Sequence, residues 1–144
     1  MKGSEYGLKT TVMTAFGVLG GVLSYIFGGW TASMTTLCIF MVLDFATGLV
    51  VAAVFKASPK SSGGSLTSHA AFEGLVKKGM ILVFVLIGAR LDLILGVNMV
   101  RDGVCIAFII SELISVTENA GLMGVPLPKS IKRAIEILRD KDEG

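Results

Sequence analysis

The residues best able to do chemistry in this chain are acids set inside apolar stretches. Asp44, Asp92 and Glu112 each interrupt a run rich in Leu, Ile, Val and Phe, and a single base, Arg90, stands beside Asp92. Carboxylates on separate helices can converge as a pair for proton transfer, but such work also needs a pocket, a metal or a histidine partner. The one histidine, His69, lies in a polar stretch without a companion, and no Cys/His/Asp cluster has metal-ligand spacing. Phosphate-binding glycine loops, dinucleotide fingerprints and nucleophile elbows are also missing from the sequence. The bases outside the apolar runs fall in a loop and a tail without interleaved aromatics, a pattern of membrane topology rather than nucleic-acid binding. We therefore expect no enzyme, no cofactor or metal and no nucleic-acid partner.

What remains is charge at membrane depth. Arg90 can neutralise only one acid in a monomer, so the others must take up protons, pair between subunits or face water. Thr47 and Gly48 follow Asp44 by three and four residues and share its helix face. Ser111, Ser115 and Glu118 form one polar line further on, and Glu112, Ser115 and Asn119 an overlapping one. These residues, with Arg90 and Asp92, are the candidate lining of a wet interior.

The elements that must carry them are helices in a bilayer. Of 144 residues 53% are hydrophobic and 17% charged, with a mean hydropathy of +0.77, too apolar for an ordinary soluble domain. Between Thr10 and Phe55 the only charged residue is Asp44. That stretch accommodates two crossings of about 20 residues each, at 10–30 and 33–55. In the first, Thr14, Gly17, Gly21, Ser24 and Gly28 recur at spacings of three and four, a stripe at which helices can approach closely. Gly17, Gly21, Ser24 and Gly28 are accordingly the candidate packing or oligomerisation residues. Lys2 and Lys9 ahead of this run resemble a secretory leader, but a second apolar run follows Trp30 at once, so we read a membrane helix.

Residues 56–78 form a polar, basic connection with Lys56, Lys60, Lys77 and Lys78 against Glu73, which the positive-inside rule places in the cytoplasm. Within it, 58–68 reads as a flexible loop and 70–78 as a short interfacial helix. A third crossing fits 79–97. A fourth, 103–121, is the weakest, because its apolar part is short and holds Glu112. The tail, 129–144, has Ile131, Ile135 and Leu138 on one face of an amphipathic helix with a basic beginning. Cys38 and Cys105 lie in apolar runs and suggest no disulfide. The expected fold is all-α: a polytopic membrane protein of four transmembrane helices, or three if the fourth does not cross, plus the amphipathic tail.

Three short motifs give this reading a family. Asp44-Phe45-Ala46-Thr47-Gly48-Leu49 resembles the acidic-x-x-Thr-Gly signature of the phage-lysis and toxin-secretion holins, and Gly74-Leu75-Val76-Lys77-Lys78 resembles their Gly-Leu-x-x-Lys element. Glu112-Leu113-Ile114-Ser115-Val116-Thr117-Glu118-Asn119, then Gly124, Pro126 and Pro128, is similar to their Glu-x-x-Ser-x-x-Glu-Asn and Gly-x-Pro-x-Pro ending. Ser111 departs from the Asn common there, and the serine-rich loop near His69 lacks a usual Lys. The resemblance implies a homo-oligomer in the bacterial cytoplasmic membrane whose timed lesions release a cell-wall hydrolase or a large toxin. A small ion or proton channel and a membrane-anchored interaction subunit are the other classes that fit the residues.

Overall fold

The computed structural model describes residues 2–142, and most of them are helical. Five helices follow in order: α1 (Lys2–Ile26), α2 (Ala32–Val50), α3 (Ser68–Leu95), α4 (Val100–Leu122) and α5 (Lys129–Asp142). A π-helical turn, Val51–Phe55, extends α2 and ends at Lys56, whose φ of +50° reverses the chain. By length and composition, 3–26 and 32–55 are each apolar enough to cross a membrane. α3 and α4 are long enough, about 42 and 34 Å, but carry more charge.

α2, α3 and α4 form the bundle. Thr31 caps α2 by accepting from Met34 N, and Thr67 caps α3 by accepting from Ala70 N. Near their first turns α2 and α4 meet through Ser33 and Asp102, and further along through Asp44 and Ser115, so the two run parallel. α3 runs against them: its Gly88 lies on Arg101 and its Lys78 on Glu112. The buried core is Met34, Leu37, Met41, Val85 and Cys105, with Phe27, Ile81, Val104, Phe108 and Ile109 around it. Met34, Leu37 and Met41 recur at the three- and four-residue steps of one helix stripe.

At Gly88 a Cβ would stand 3.0 Å from Arg101 Cα and 3.2 Å from its N, so α3 and α4 approach there closely enough that a side chain would press the Arg101 backbone aside by a few tenths of an ångström.

Three expectations change. The connection after α2 is shorter than 56–78, because α3 is one continuous helix from Ser68 and carries Lys77 and Lys78 as helical residues. The fourth stretch, expected at 103–121 as the weakest crossing, begins earlier and forms 23 unbroken helical residues packed on both α2 and α3. Finally, α1 stands apart from the bundle, with nothing within 4 Å of a Cβ built at Gly17 or Gly21. Among the described residues, nothing packs on the Gly17 and Gly21 part of its small-residue stripe.

Candidate functional site

The apolar core lies between two polar layers. From Ser33 to Asp44 and from Arg101 to Glu112 there are eleven helical residues, so the layers are about 16 Å apart along the bundle. One layer closes the Trp30 end. The other lies near mid-length of α2, α3 and α4.

The mid-bundle layer is built on Lys78. Its Nζ is 2.8 Å from Asp44 Oδ2 and also bonds Glu112 Oε2, joining α3 to both neighbours. The three side chains are at least 88% buried, that of Lys78 being 12% exposed and those of Asp44 and Glu112 7% each. Asp44 Oδ1 accepts from Ser115 Oγ at 2.5 Å and from Asn119 Nδ2 at 3.1 Å. Asn119 Nδ2 also lies 2.9 Å from Thr47 Oγ1, while Thr47 Oγ1 donates back to Leu43 O at 2.8 Å. Gly48 faces the same group: a Cβ there would stand 3.8 Å from Asn119 Nδ2, in ordinary contact. Glu112, Ser115 and Asn119 follow one another at i, i+3 and i+7, which is why one face of α4 delivers all three.

Each sequence motif thus supplies one wall. Asp44, Thr47 and Gly48 come from α2, Glu112, Ser115 and Asn119 from α4, and Lys78 from α3, where Gly74, four residues earlier, lies beside the Phe45 ring. Two carboxylates share one ammonium. If all three are ionised, one negative charge is in excess at mid-bundle, where desolvated charge is costly.

A cavity of about 190 Å³ leads from this layer toward the loop. It lies between α2 and α3 and is floored by α4, with Phe45, Leu49, Ala70 and Ala71 among its apolar walls and Lys60, Lys77, Ser65 and Thr67 toward its mouth. Next to the mouth, Lys77 Nζ pairs with Glu73 Oε1 at 2.8 Å and holds that exposed carboxyl below the usual carboxylate range.

The layer at the Trp30 end is of another kind. Arg101 Nη1 donates to the carbonyls of Phe27, Gly28 and Gly29 at 2.8, 3.2 and 3.1 Å, capping the end of α1. The two glycines, at φ +69° and +96°, turn those carbonyls toward it. Asp92 accepts from the Val100 and Arg101 amides at 2.9 and 3.0 Å, so it caps α4 from the end of α3. Asp102 accepts from Ser33 Oγ at 2.6 Å.

The sequence-selected residues therefore divide. Asp44, Thr47, Gly48, Glu112, Ser115 and Asn119 come together, while Asp92 is about half a bundle away and serves as a cap. Arg90 is exposed and makes no hydrogen bond or ion pair among those of the described residues, so the neutralising role expected of it falls to Lys78. Glu118 is exposed on α4, away from the buried layer. Gly28 belongs to the Arg101 clasp, and Gly17, Gly21 and Ser24 belong to no site. His69 is exposed on the first turn of α3. The sequence placed Lys78 only in a basic connection and a motif, and Arg101 in no role at all, so the part each plays in a site was missed. The four-residue step from Gly74 to Lys78 was the available signal, because it puts both on one helix face.

A model of the bacteriophage holin family matches residues 21–140. The "uncharacterized 14.9 kDa protein in nagH 3'region" of Clostridium perfringens is 35% identical over 125 residues, covering 85% of this chain and 89% of its own. The protein YqxH of Bacillus subtilis is 28% identical over 136 residues, 94% of this chain and 91% of its own. A probable holin of Bacillus phage phi105 is 26% identical over 121 residues, 83% of each chain. No solved structure matches. With the family model covering both polar layers and every helix of the bundle, the chain belongs to the bacteriophage holin family.

Proposed function

We propose that this chain acts as a holin, assembling in the bacterial cytoplasmic membrane and opening lesions through which a cell-wall hydrolase or a large toxin leaves. The observation that supports it is the meeting of three motifs in one buried polar layer that communicates with the loop end through a cavity. In lipid an unsatisfied polar group costs several kcal/mol, so a monomer must keep such a layer closed. The α2–α3 seam is the opening edge in this reading, because the cavity already separates those helices while α4 holds each of them. At a threshold density, neighbouring copies would exchange this seam for a shared aqueous interior, with α1 free to pack on another copy. Four crossings with both termini in the cytoplasm put the Lys60 loop and α5 on the same side.

Regulated expression with and without a cytoplasmic wall hydrolase tests the proposal. Abrupt lysis that needs both proteins is the expected result. A steady ion leak with no hydrolase escape would replace the holin reading with a channel.

A further inference from the structure

We infer that α5 is a surface anchor that binds anionic phospholipid of the cytoplasmic leaflet; this rests on the membrane reading above. Ile131, Ala134, Ile135 and Leu138 fall on one stripe of the helix, and Glu136 and Asp140 on the opposite side. The fold covers the stripe only in part: α5 packs on the end of α4, Ile135 and Leu138 are half-buried, and Ile131 remains 45% exposed.

Position and charge decide what covers it. Only residues 123–128 separate α4 from α5, and they turn sharply: Gly124 has φ +78°, Val125 N donates to Ala120 O, and Ile131 N donates to Pro128 O. Six residues reach at most about 21 Å, so the first turn of α5 is held near the membrane exit of α4. The bases Lys129, Lys132 and Arg133 occupy that first part, Lys132 flanking the stripe and Lys129 and Arg133 on the far side, where the acids Glu136 and Asp140 follow later along the helix. An amphipathic helix with bases at its membrane-proximal end suits the interface of a negatively charged leaflet, with long basic stems reaching headgroup phosphates. A second protein surface would need acids to match those bases, and near the mouth of the bundle the bases Lys60 and Lys77 dominate.

The test uses the full chain, with Cys38 and Cys105 changed to Ala, in phosphatidylglycerol vesicles. A fluorophore is placed singly through Ile135→Cys, Glu136→Cys or, as a bilayer reference, Val42→Cys on the lipid-facing side of α2, where Val42 is 67% exposed. Lipid-borne bromine should quench the 135 and 42 labels, and aqueous iodide the 136 label. Changing Lys129, Lys132 and Arg133 together to Gln should lower the bound-to-free ratio of α5 by about a hundredfold, roughly fivefold per charge. Pure phosphatidylcholine should act in the same direction. A 135 label open to iodide in phosphatidylglycerol, shielded from both quenchers, or indifferent to lipid charge overturns the inference, the second outcome meaning that protein covers the stripe. If the 42 label escapes lipid quenching as well, the membrane reading itself has failed.

Discussion

Lys78 reaches across from α3 to Asp44 of α2, ammonium to carboxylate at 2.8 Å, in a layer whose other carboxylate, Glu112, it also holds. One cation thereby closes a three-helix contact that a membrane monomer could not leave open.

Removal of that cation should be the most damaging single change. Lys78→Met strands two buried carboxylates, and losing one partner of a buried ion pair costs about 3–5 kcal/mol. Thermal unfolding in detergent should show this as a large fall in midpoint, with partial recovery on adding Glu112→Gln. An unchanged midpoint would mean that the bridge does not hold the bundle.

Asp44→Asn should act in the opposite direction. Asn can still accept from Ser115 and Asn119, and Lys78 is left with one carboxylate, so the excess negative charge disappears. Insertion should become easier by a fraction of the roughly 2.5–3.5 kcal/mol charge cost. At equal protein level we expect delayed lysis, timed from culture density. Lysis at the normal time would show that the excess charge plays no part in opening.

Two glycines separate folding from assembly. Gly88→Val forces a side chain onto the Arg101 backbone and should cost about 1–3 kcal/mol of bundle stability. A Cβ at Gly21 meets nothing within 4 Å, so with Gly21→Leu the monomer should melt normally while crosslinked oligomers shrink. Normal crosslinking by Gly21→Leu, beside a Phe16→Leu control, would move the subunit contact away from α1.

Arg101→Ala should release α1. Three carbonyls lose a charged donor, and hydrogen bonds of that type contribute about 1.5–3 kcal/mol each at most. Distances between spin labels on α1 and α4 should broaden, while labels on α2 and α4 keep their separation. A narrow α1–α4 distribution would show that something other than the clasp fixes α1.

Topology is checked by thiol labelling. Ser62→Cys and Ser130→Cys should both resist an impermeant reagent in intact cells. External labelling of the second site alone would leave three crossings.

The helices themselves could be read from the sequence, because apolar runs, caps and three- and four-residue spacing act within one segment. So could the faces: Asp44 with Thr47 and Gly48, and Glu112 with Ser115 and Asn119, are fixed by helical geometry before any packing occurs. What meets each face was decided only by the tertiary structure. Lys78 lies 34 residues from both Asp44 and Glu112, and a hydropathy profile records it only as a base beside a loop. Arg101 and Asp92 took their roles in the same way, since the carbonyls and amides they hold are brought near by the α1–α2 and α3–α4 turns. Arg90, two residues before Asp92 in the chain, points elsewhere because two steps along a helix turn the side chain by about 200°. Sequence fixes which residues share a face, whereas pairing depends on the register of packed helices, which no single segment encodes.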